Sequence, residues 1–283
     1  MEKALKKWFP LFVLPTFCAF LIGFIIPFCQ GVYLSFCEFT TVADAKWVGI
    51  SNYTAALKDT SFWYSFAFTA VFALIATLLI NICALAIAFA LTGKMKGTNI
   101  FRTVFFLPNL IGGIVLGYIW QILINCILYK IGQPLLALNT QAGFWGLIIL
   151  SCWQQIGYMM IIYIAGIQNI PDSVLEAAKI DGTTPWQTLI YVKLPMLMPS
   201  ITICLFLSIT NAFKLFDQNL SLTAGDPAHA TEMLAMNIYS TFYSRCGIQW
   251  MGIGQAKAVI FFLIVVVIAL IQLKKTHSKE LQA

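Results

Sequence analysis

Residues 60–93 read TSFWYSFAFTAVFALIATLLINICALAIAFALTG, and no charged side chain interrupts them. A helix needs roughly 20 apolar residues to cross the hydrocarbon core of a bilayer, and this run exceeds that length. From Leu78 to Leu91 nearly every residue is apolar, with Asn81 the exception. A strand of a membrane barrel would alternate polar and apolar residues over about 10 positions. A helix satisfies its backbone hydrogen bonds internally, as lipid demands. The segment is therefore expected to be a transmembrane helix.

The same reading extends along the chain. Charges are absent from Trp8 to Cys37, Thr103 to Tyr129, Ile131 to Pro171, Leu194 to Phe213 and Ala258 to Leu273. Six helices are expected near 9–36, 62–92, 104–128, 143–168, 197–218 and 253–273. Gly132, Pro134, Asn139, Thr140 and Gln141 mark a loop before the fourth. The expected architecture is an all-α integral membrane protein, with residues 1–283 forming a single transmembrane domain. Of the 283 residues, 60% are hydrophobic and only 10% charged. Soluble domains carry about 25% charged residues, so a soluble globular chain is excluded.

The net charge of +6 belongs to topology. With the N-terminus inside, Lys3, Lys6, Lys7, Lys94, Lys96, Arg102, Lys179, Lys193, Lys274, Lys275 and Lys279 face the cytoplasm. Lys46, Lys58, Lys130 and Arg245 face out, with Lys257 near a helix end. That bias places both termini in the cytoplasm and makes a nucleic-acid partner unnecessary. Lys179 is expected inside, Lys46 and Thr231 outside. The first apolar run is too long for a secretory signal and lacks a small-residue cleavage site, so an uncleaved helix is expected. The eight cysteines include no C-x-x-C pair. Most fall in or near spans, as small packing residues. Cys37 and Cys246 both face outward in this topology and leave a disulfide open.

The long loop from Gln168 to Pro195 carries a denser signal. Ser173 and Glu176 have the spacing of a capping box. Ala177, Ala178 and Lys179 favour helix, and Gly182 suits a left-handed terminus. Thr184, Pro185 and Gln187 then announce a second helix. Alone this is a well-capped connector. However, Glu176-Ala177-Ala178, then Asp181-Gly182, then Leu194-Pro195, resembles the EAA loop of the membrane subunits of bacterial ABC importers. Thr183, Leu189 and Val192 replace the usual Ala, Phe and Ile.

The resemblance extends over nearly the whole chain. It includes Leu14-Pro15, Pro27 and Leu34-Ser35-Phe36 in the first span, and Val48-Gly49, Asn52-Tyr53 and Phe62-Trp63 after it. Arg102-Thr103 and Leu107-Pro108 match the entry to the third span. Leu222-Thr223, Gly225, Pro227, Thr231, Tyr239 and Phe242 match the last outer loop, where Asp226 departs from the usual Gly-Gly-Pro. The pattern is similar to permeases of the maltose- and glycerol-phosphate-type sugar importers.

The resemblance implies a type I ABC importer permease fold. It implies that the coupling loop, 169–195, meets a separate ATPase through Glu176, Ala177, Ala178, Asp181 and Gly182. It further implies a second related permease, two ATPase subunits holding ATP and Mg, and an extracellular solute-binding protein, in a bacterial inner membrane. No cofactor is expected on this chain itself.

For a solute path, Asn211, Lys214, Asp217 and Gln218 stand out late in the fifth span. Charges at membrane depth usually face a cavity or a partner, and Lys214 and Asp217 are spaced to share a helix face. A plain ion pair near the headgroups would explain them equally well. Trp153, Gln154, Gln155 and Tyr158 offer an aromatic face and amides to a sugar, although membrane aromatics commonly serve as packing or interfacial anchors. Asn81 and Asn125 read as interhelical hydrogen bonders.

An enzyme is not expected. There are two histidines, neither in a span, and no nucleophile elbow or zinc motif. Gly93-Lys94-Met95 lacks the elements of a P-loop. The competing transport reading is an ATP-independent secondary transporter or channel. That reading calls for broken helices, intramembrane charges or inverted repeats. Beyond Lys214 and Asp217 the sequence displays none.

Overall fold

The computed structural model describes residues 2–93 and 97–280, so Lys94 and Lys96 lie outside the described residues. The chain forms two compact units, Met1–Phe62 with Ile238–Phe262, and Trp63–Asn237 with Leu263–Ala283.

In the first unit, helix α1 (Glu2–Phe20) passes through a wide π-type turn, Leu21–Ile25, into α2 (Ile26–Leu34). The most apolar 18-residue window within Phe12–Leu34 has no buried residue, and Leu34 at the end of α2 is buried. A helix apolar all round and uncovered by its own chain suits a lipid or protein surrounding, not water. Two short strands follow, β1 (Cys37–Glu38) and β2 (Lys46–Trp47), paired antiparallel with Cys37 opposite Trp47. The turn between them is fastened by Asp44, which accepts from the Thr40 and Thr41 amides. The Thr40 hydroxyl, with these two amides, holds the exposed Asp44 carboxyl down to about 2.

Helix α3 (Ser51–Lys58) is locked to this turn by Asn52. Its Nδ2 donates to the Ser35 and Cys37 carbonyls, at 3.0 and 2.8 Å. Gly252 of α14 (Ile248–Glu280) packs directly on the same group; a Cβ there would stand 2.3 Å from the Cys37 carbonyl oxygen. Cys37 is buried beside Leu34 and Phe39, whereas Cys246 is exposed. Both are free thiols, so no disulfide joins them in this structure.

The second unit contains most of α4 (Thr60–Thr92), then α5 (Thr98–Phe106), α6 (Gly113–Lys130) and α7 (Thr140–Gln168). Helix α7 starts where Asn139 caps it, its Oδ1 accepting from the Ala142 amide at 3.0 Å. Over its apolar window 56% of α7 is buried, against 11% for α6, so α7 is the central helix of this unit. Two glycines make that possible. A Cβ on Gly157 would lie 1.8 Å from the Phe105 carbonyl oxygen, and one on Gly166 2.2 Å from Ser200 Oγ. A polar triangle adds specificity. Tyr163 donates to Asn81 Oδ1 at 2.7 Å, and Asn81 donates to Ser208 Oγ at 3.0 Å. Such interhelical bonds contribute about 0.6 kcal/mol each on average, enough to fix register among α4, α7 and the fifth span. Asn125 does something different from the expected helix-to-helix bond: it accepts from the Leu136 amide and shapes the loop before α7.

After α7 come α8 (Asp172–Ile180), the single-turn α9 (Pro185–Gln187) and α10 (Leu194–Met196), then α11 (Met198–Phe213) and α12 (Asp217–Leu222). Helix α13 (Leu234–Tyr243) precedes α14. Among the described residues, five helices are long and apolar enough to cross a membrane, and a sixth span is reached if Pro185–Met196 and Met198–Phe213, bent by 68°, count as one.

Two expected spans are corrected in outline. The helix expected over 104–128 is broken: α5 ends at Phe106, residues Leu107–Leu110 form a 3₁₀ turn, and Ile111 is extended before α6 begins at Gly113. Pro108 has no amide to donate and crowds the preceding turn. The helix expected over 197–218 stops at Phe213, with Lys214 as its C-cap, and restarts at Asp217. The broken helices thought lacking are therefore present, at two spans.

Candidate functional site

Two features stand apart from packing. The first is the loop between α7 and α11. Helix α8 begins ahead of Ser173, because Pro171, two residues before it, occupies the N-cap with an extended backbone (φ −62°, ψ 135°) and makes no side-chain cap. Ser173 thus lies inside the first turn, and the expected Ser173–Glu176 capping box does not form. The terminus follows expectation. Gly182 sits at φ +74°, a left-handed value open to glycine. The Thr183 amide reaches back to the Ala178 carbonyl at 3.2 Å, the long bond of a Schellman terminus. Thr183, which replaces the usual alanine, strengthens it: its hydroxyl donates to the same carbonyl at 2.7 Å and lies 2.9 Å from the Thr188 hydroxyl. The second capping box forms, with Thr184 and Gln187 satisfying each other's amides.

Of the residues expected to meet an ATPase, Ala178 is buried; Glu176, Ala177, Asp181 and Gly182 are exposed. They share the loop with three large exposed side chains: Ile180 at 86%, Trp186 at 68% and Tyr191 at 75%. An apolar group this exposed is a surface built for contact.

The second feature is a cavity of about 300 Å³ where the two broken spans meet. Asn109, from the first break, lines it with Gln154 and Gln155 of α7. Asn211 and the second break, from Lys214 through Phe216 to Asp217 and Gln218, close the other side. Asn211, Lys214 and Asp217 are exposed to this space, and among the described residues none of their side-chain polar atoms has a hydrogen-bond or ion-pair partner. The expected Lys214–Asp217 helix-face pair is absent, because the helix ends between them. Gln155 is nearly buried and its Oε1 has no partner.

Gln154 differs from its neighbours, since both ends of its amide are already engaged. Nε2 donates to the Ile111 carbonyl at 3.2 Å, and Oε1 accepts from Gln218 at 2.7 Å. Trp153 is not on the cavity wall; its ring meets Trp120 edge-on at 5.6 Å. The structure thus groups Asn211, Lys214, Asp217 and Gln154 and leaves Trp153 out. Asn109 and Phe216 escaped the sequence reading. The Leu107-Pro108-Asn109 step was the available signal, a proline interrupting an apolar run.

A separate charged cluster lies in the first unit. Lys257 of α14 is fully buried. Its Nζ lies 2.8 Å from Asp59 Oδ2 and 2.8 Å from Thr241 Oγ1, with the Phe62 ring below. Arg245 approaches the same carboxylate oxygen at 3.2 Å and stacks on Trp250. Asp59 also accepts from the Ser61 amide at the start of α4. Burial pushes the Asp59 carboxyl up, but the Lys257 hydrogen bond and the two positive charges outweigh it and hold it below its usual value.

Comparison with known proteins accords with this arrangement. The 19%-identical chain of a bacterial ABC transporter involved in the import of the acidic polysaccharide alginate superposes at a TM-score of 0.81, covering 98% of both chains. At that identity the likeness establishes the fold alone. The probable starch degradation products transport system permease protein AmyD of Thermoanaerobacterium thermosulfurigenes is 43% identical over 97% of this chain and 96% of its own. The multiple sugar-binding transport system permease protein MsmF of Streptococcus mutans is 30% identical over 99% of both. A family model for the binding-protein-dependent transport system inner membrane component matches residues 84–274. The chain belongs to that family of inner membrane transport components.

Proposed function

We propose that this chain is one permease subunit of an ATP-driven importer that carries a saccharide from an extracellular binding protein across the inner membrane. The observation that carries the reading is the polar cavity at the two helix breaks, where Asn211, Lys214 and Asp217 present side chains without protein partners among the described residues. Its volume, about 300 Å³, falls at the lower end of ordinary ligand pockets, which span roughly 300–1,000 Å³. A sugar offers hydroxyls that both donate and accept, and Asn211, Lys214 and Asp217 present both kinds of group. The relatives' names support the substrate class, as does the alginate transporter solved with a pentasaccharide-bound periplasmic protein. A second permease encloses the other half of the path. Two ATPase subunits hold ATP and Mg and engage the loop at Glu176, Ala177, Ala178, Asp181 and Gly182.

Broken helices also occur in secondary transporters, so they do not discriminate by themselves. The exposed, well-terminated α8 loop does, because an ATP-independent carrier has no need of it. Asp217→Ala tests the path. Uptake of radiolabelled maltooligosaccharide in reconstituted complexes is expected to fall about tenfold or more, with complex yield near wild type; loss of one hydrogen bond to a charged group is about 1.5–3 kcal/mol. Unchanged uptake would remove Asp217 from the path.

Orientation has its own test. Both termini and α8 are assigned to the cytoplasm by the Lys and Arg distribution. In intact cells, with the native cysteines replaced by serine or alanine, an impermeant thiol reagent should label cysteines placed at Lys46 and His229 and leave one at Lys179 unmodified. His229 replaces Thr231 as the outer probe, because Thr231 is buried. External labelling at position 179 would sink the orientation and the ATPase contact with it.

A further inference from the structure

Each helix break leaves backbone groups without a helical partner. In the first break, α6 opens with the Leu116 amide bonding to the Gly112 carbonyl. The carbonyl of Ile111, one residue earlier, therefore falls outside the helical ladder. An unpartnered carbonyl in an apolar bundle is unfavourable, and membrane proteins satisfy such groups from neighbouring helices. Gln154 does so from α7, and with the other end of the same amide it holds Gln218 in the first turn of α12. One side chain, 8% exposed, thus binds both breaks to the central helix of the unit.

Helices α6 and α12 are also fitted closely to each other. A Cβ on Gly113 would lie 2.9 Å from Asp217 Cβ and from the Gln218 amide, and one on Gly117 would lie 1.8 Å from Ser221 Oγ. One turn further on, Gln121 donates to the Leu222 carbonyl at 3.0 Å. The two helices are thus closely packed on each other, and Gln154 ties both of them to α7 at the cavity end.

We infer that Gln154 is a positioning residue: it fixes the α6–α12 pair against α7 and thereby sets the shape of the cavity lined by Asn109 and residues 214–218. The inference rests on the reading of that cavity as the solute path. Gln154 lines the cavity, but one bond at each end of its amide is already made to the protein, to the Ile111 carbonyl and from Gln218, and the positioning role rests on those two bonds. Cutting the tie lets the pair sample several arrangements, of which a fraction accepts solute. Apparent affinity falls by that fraction, so the loss appears in KM more than in Vmax. A bond contributing about 1.4 kcal/mol gives about a tenfold rise in KM.

The test uses the full transporter in nanodiscs with two variants, Gln154→Met and Gln218→Met, and their combination. Gln218→Met leaves the Ile111 carbonyl satisfied, so it guards against a simple folding defect. Nitroxides at Leu110 and Ile149, both exposed, report the distance between the first break and α7 without any solute. The expected result is a broadened distance distribution in Gln154→Met and about a tenfold higher KM for maltooligosaccharide uptake. The double variant should be no worse than Gln154→Met alone, since both changes remove one shared contact. Unchanged distances in Gln154→Met would overturn the inference. So would KM losses that multiply in the double variant, or failure of both single variants to assemble. Absence of saccharide uptake by the wild type would instead refute the substrate reading, and the distance measurement would still decide the role of Gln154.

Discussion

Complexes carrying Glu176→Lys or Gly182→Val are expected to assemble in the membrane yet lose ATP hydrolysis stimulated by the binding protein, and uptake with it. The two substitutions act differently. Glu176 is exposed on α8 and takes no part in capping it, since Pro171 rather than Ser173 holds the N-cap. Reversing its charge therefore leaves the helix intact and acts on whatever the helix meets. Truncating one side of a buried charged contact between proteins costs about 2–5 kcal/mol, which corresponds to a loss of coupling of more than tenfold. Ser173→Ala supplies the control and should be nearly silent.

Gly182 works through the backbone. Its φ of +74° lies in the left-handed region, and a Cβ built there meets no atom within 4 Å. Space is thus available, and any penalty comes from conformation. A left-handed residue with a side chain costs roughly 1–2 kcal/mol, and a β-branched one more. The Thr183 bonds to the Ala178 carbonyl then strain or break, and α8 with Glu176 and Ile180 is displaced relative to α9. Gly182→Ala should give a milder defect than Gly182→Val, in that order. The readouts are ATP hydrolysis with and without the binding protein and solute uptake, both in reconstituted complexes. Full coupling in both Glu176→Lys and Gly182→Val would reduce the loop to a connector.

The spans were legible because charge gaps and apolar length follow directly from the physics of the bilayer. The terminus at Gly182 and the box at Thr184 and Gln187 were legible because local chemistry determines them. The break at Leu107–Gly112 was less so. Pro108 announces an interruption, but whether a span kinks or stops depends on whether a neighbour satisfies the freed carbonyl, and Gln154 lies 43 residues later in the sequence. The end of α11 at Phe213 was hidden for the same reason: residues 214–218 continue an acceptable helical sequence, and only packing of α12 against Gly113 and Gly117 decides otherwise. Ser173 misled because Pro171, two residues before it, fixes the N-cap backbone first. The buried Lys257 looked like a residue near a helix end because its partner, Asp59, lies far back in the chain.

The Asp59–Lys257 pair should weigh heavily in stability. Asp59→Leu should lower the thermal stability of the detergent-solubilised subunit more than any change at a surface charge. It removes the carboxylate from a lysine that is fully buried and leaves that charge uncompensated, at a cost of about 3–5 kcal/mol. Arg245→Ala should cost much less, about 1 kcal/mol or below, because a third of its side chain reaches solvent. Lys257→Met added to Asp59→Leu should recover most of the loss, since an apolar pair of similar size avoids burying charge. Acidification makes an independent check. The Asp59 carboxyl is held below its unfolded value of 3.8. A depressed acid contributes stability that is present above the unfolded value and disappears as pH falls through the folded one. The wild type should therefore lose stability on titration below about pH 4, and the Asp59→Leu, Lys257→Met subunit should lose less over the same range. If Asp59→Leu alone is as stable as wild type, the cluster contributes nothing to the fold. If the double variant stays as unstable as the single, the Ser61 amide cap at the start of α4, rather than the Lys257 pair, is what Asp59 provides.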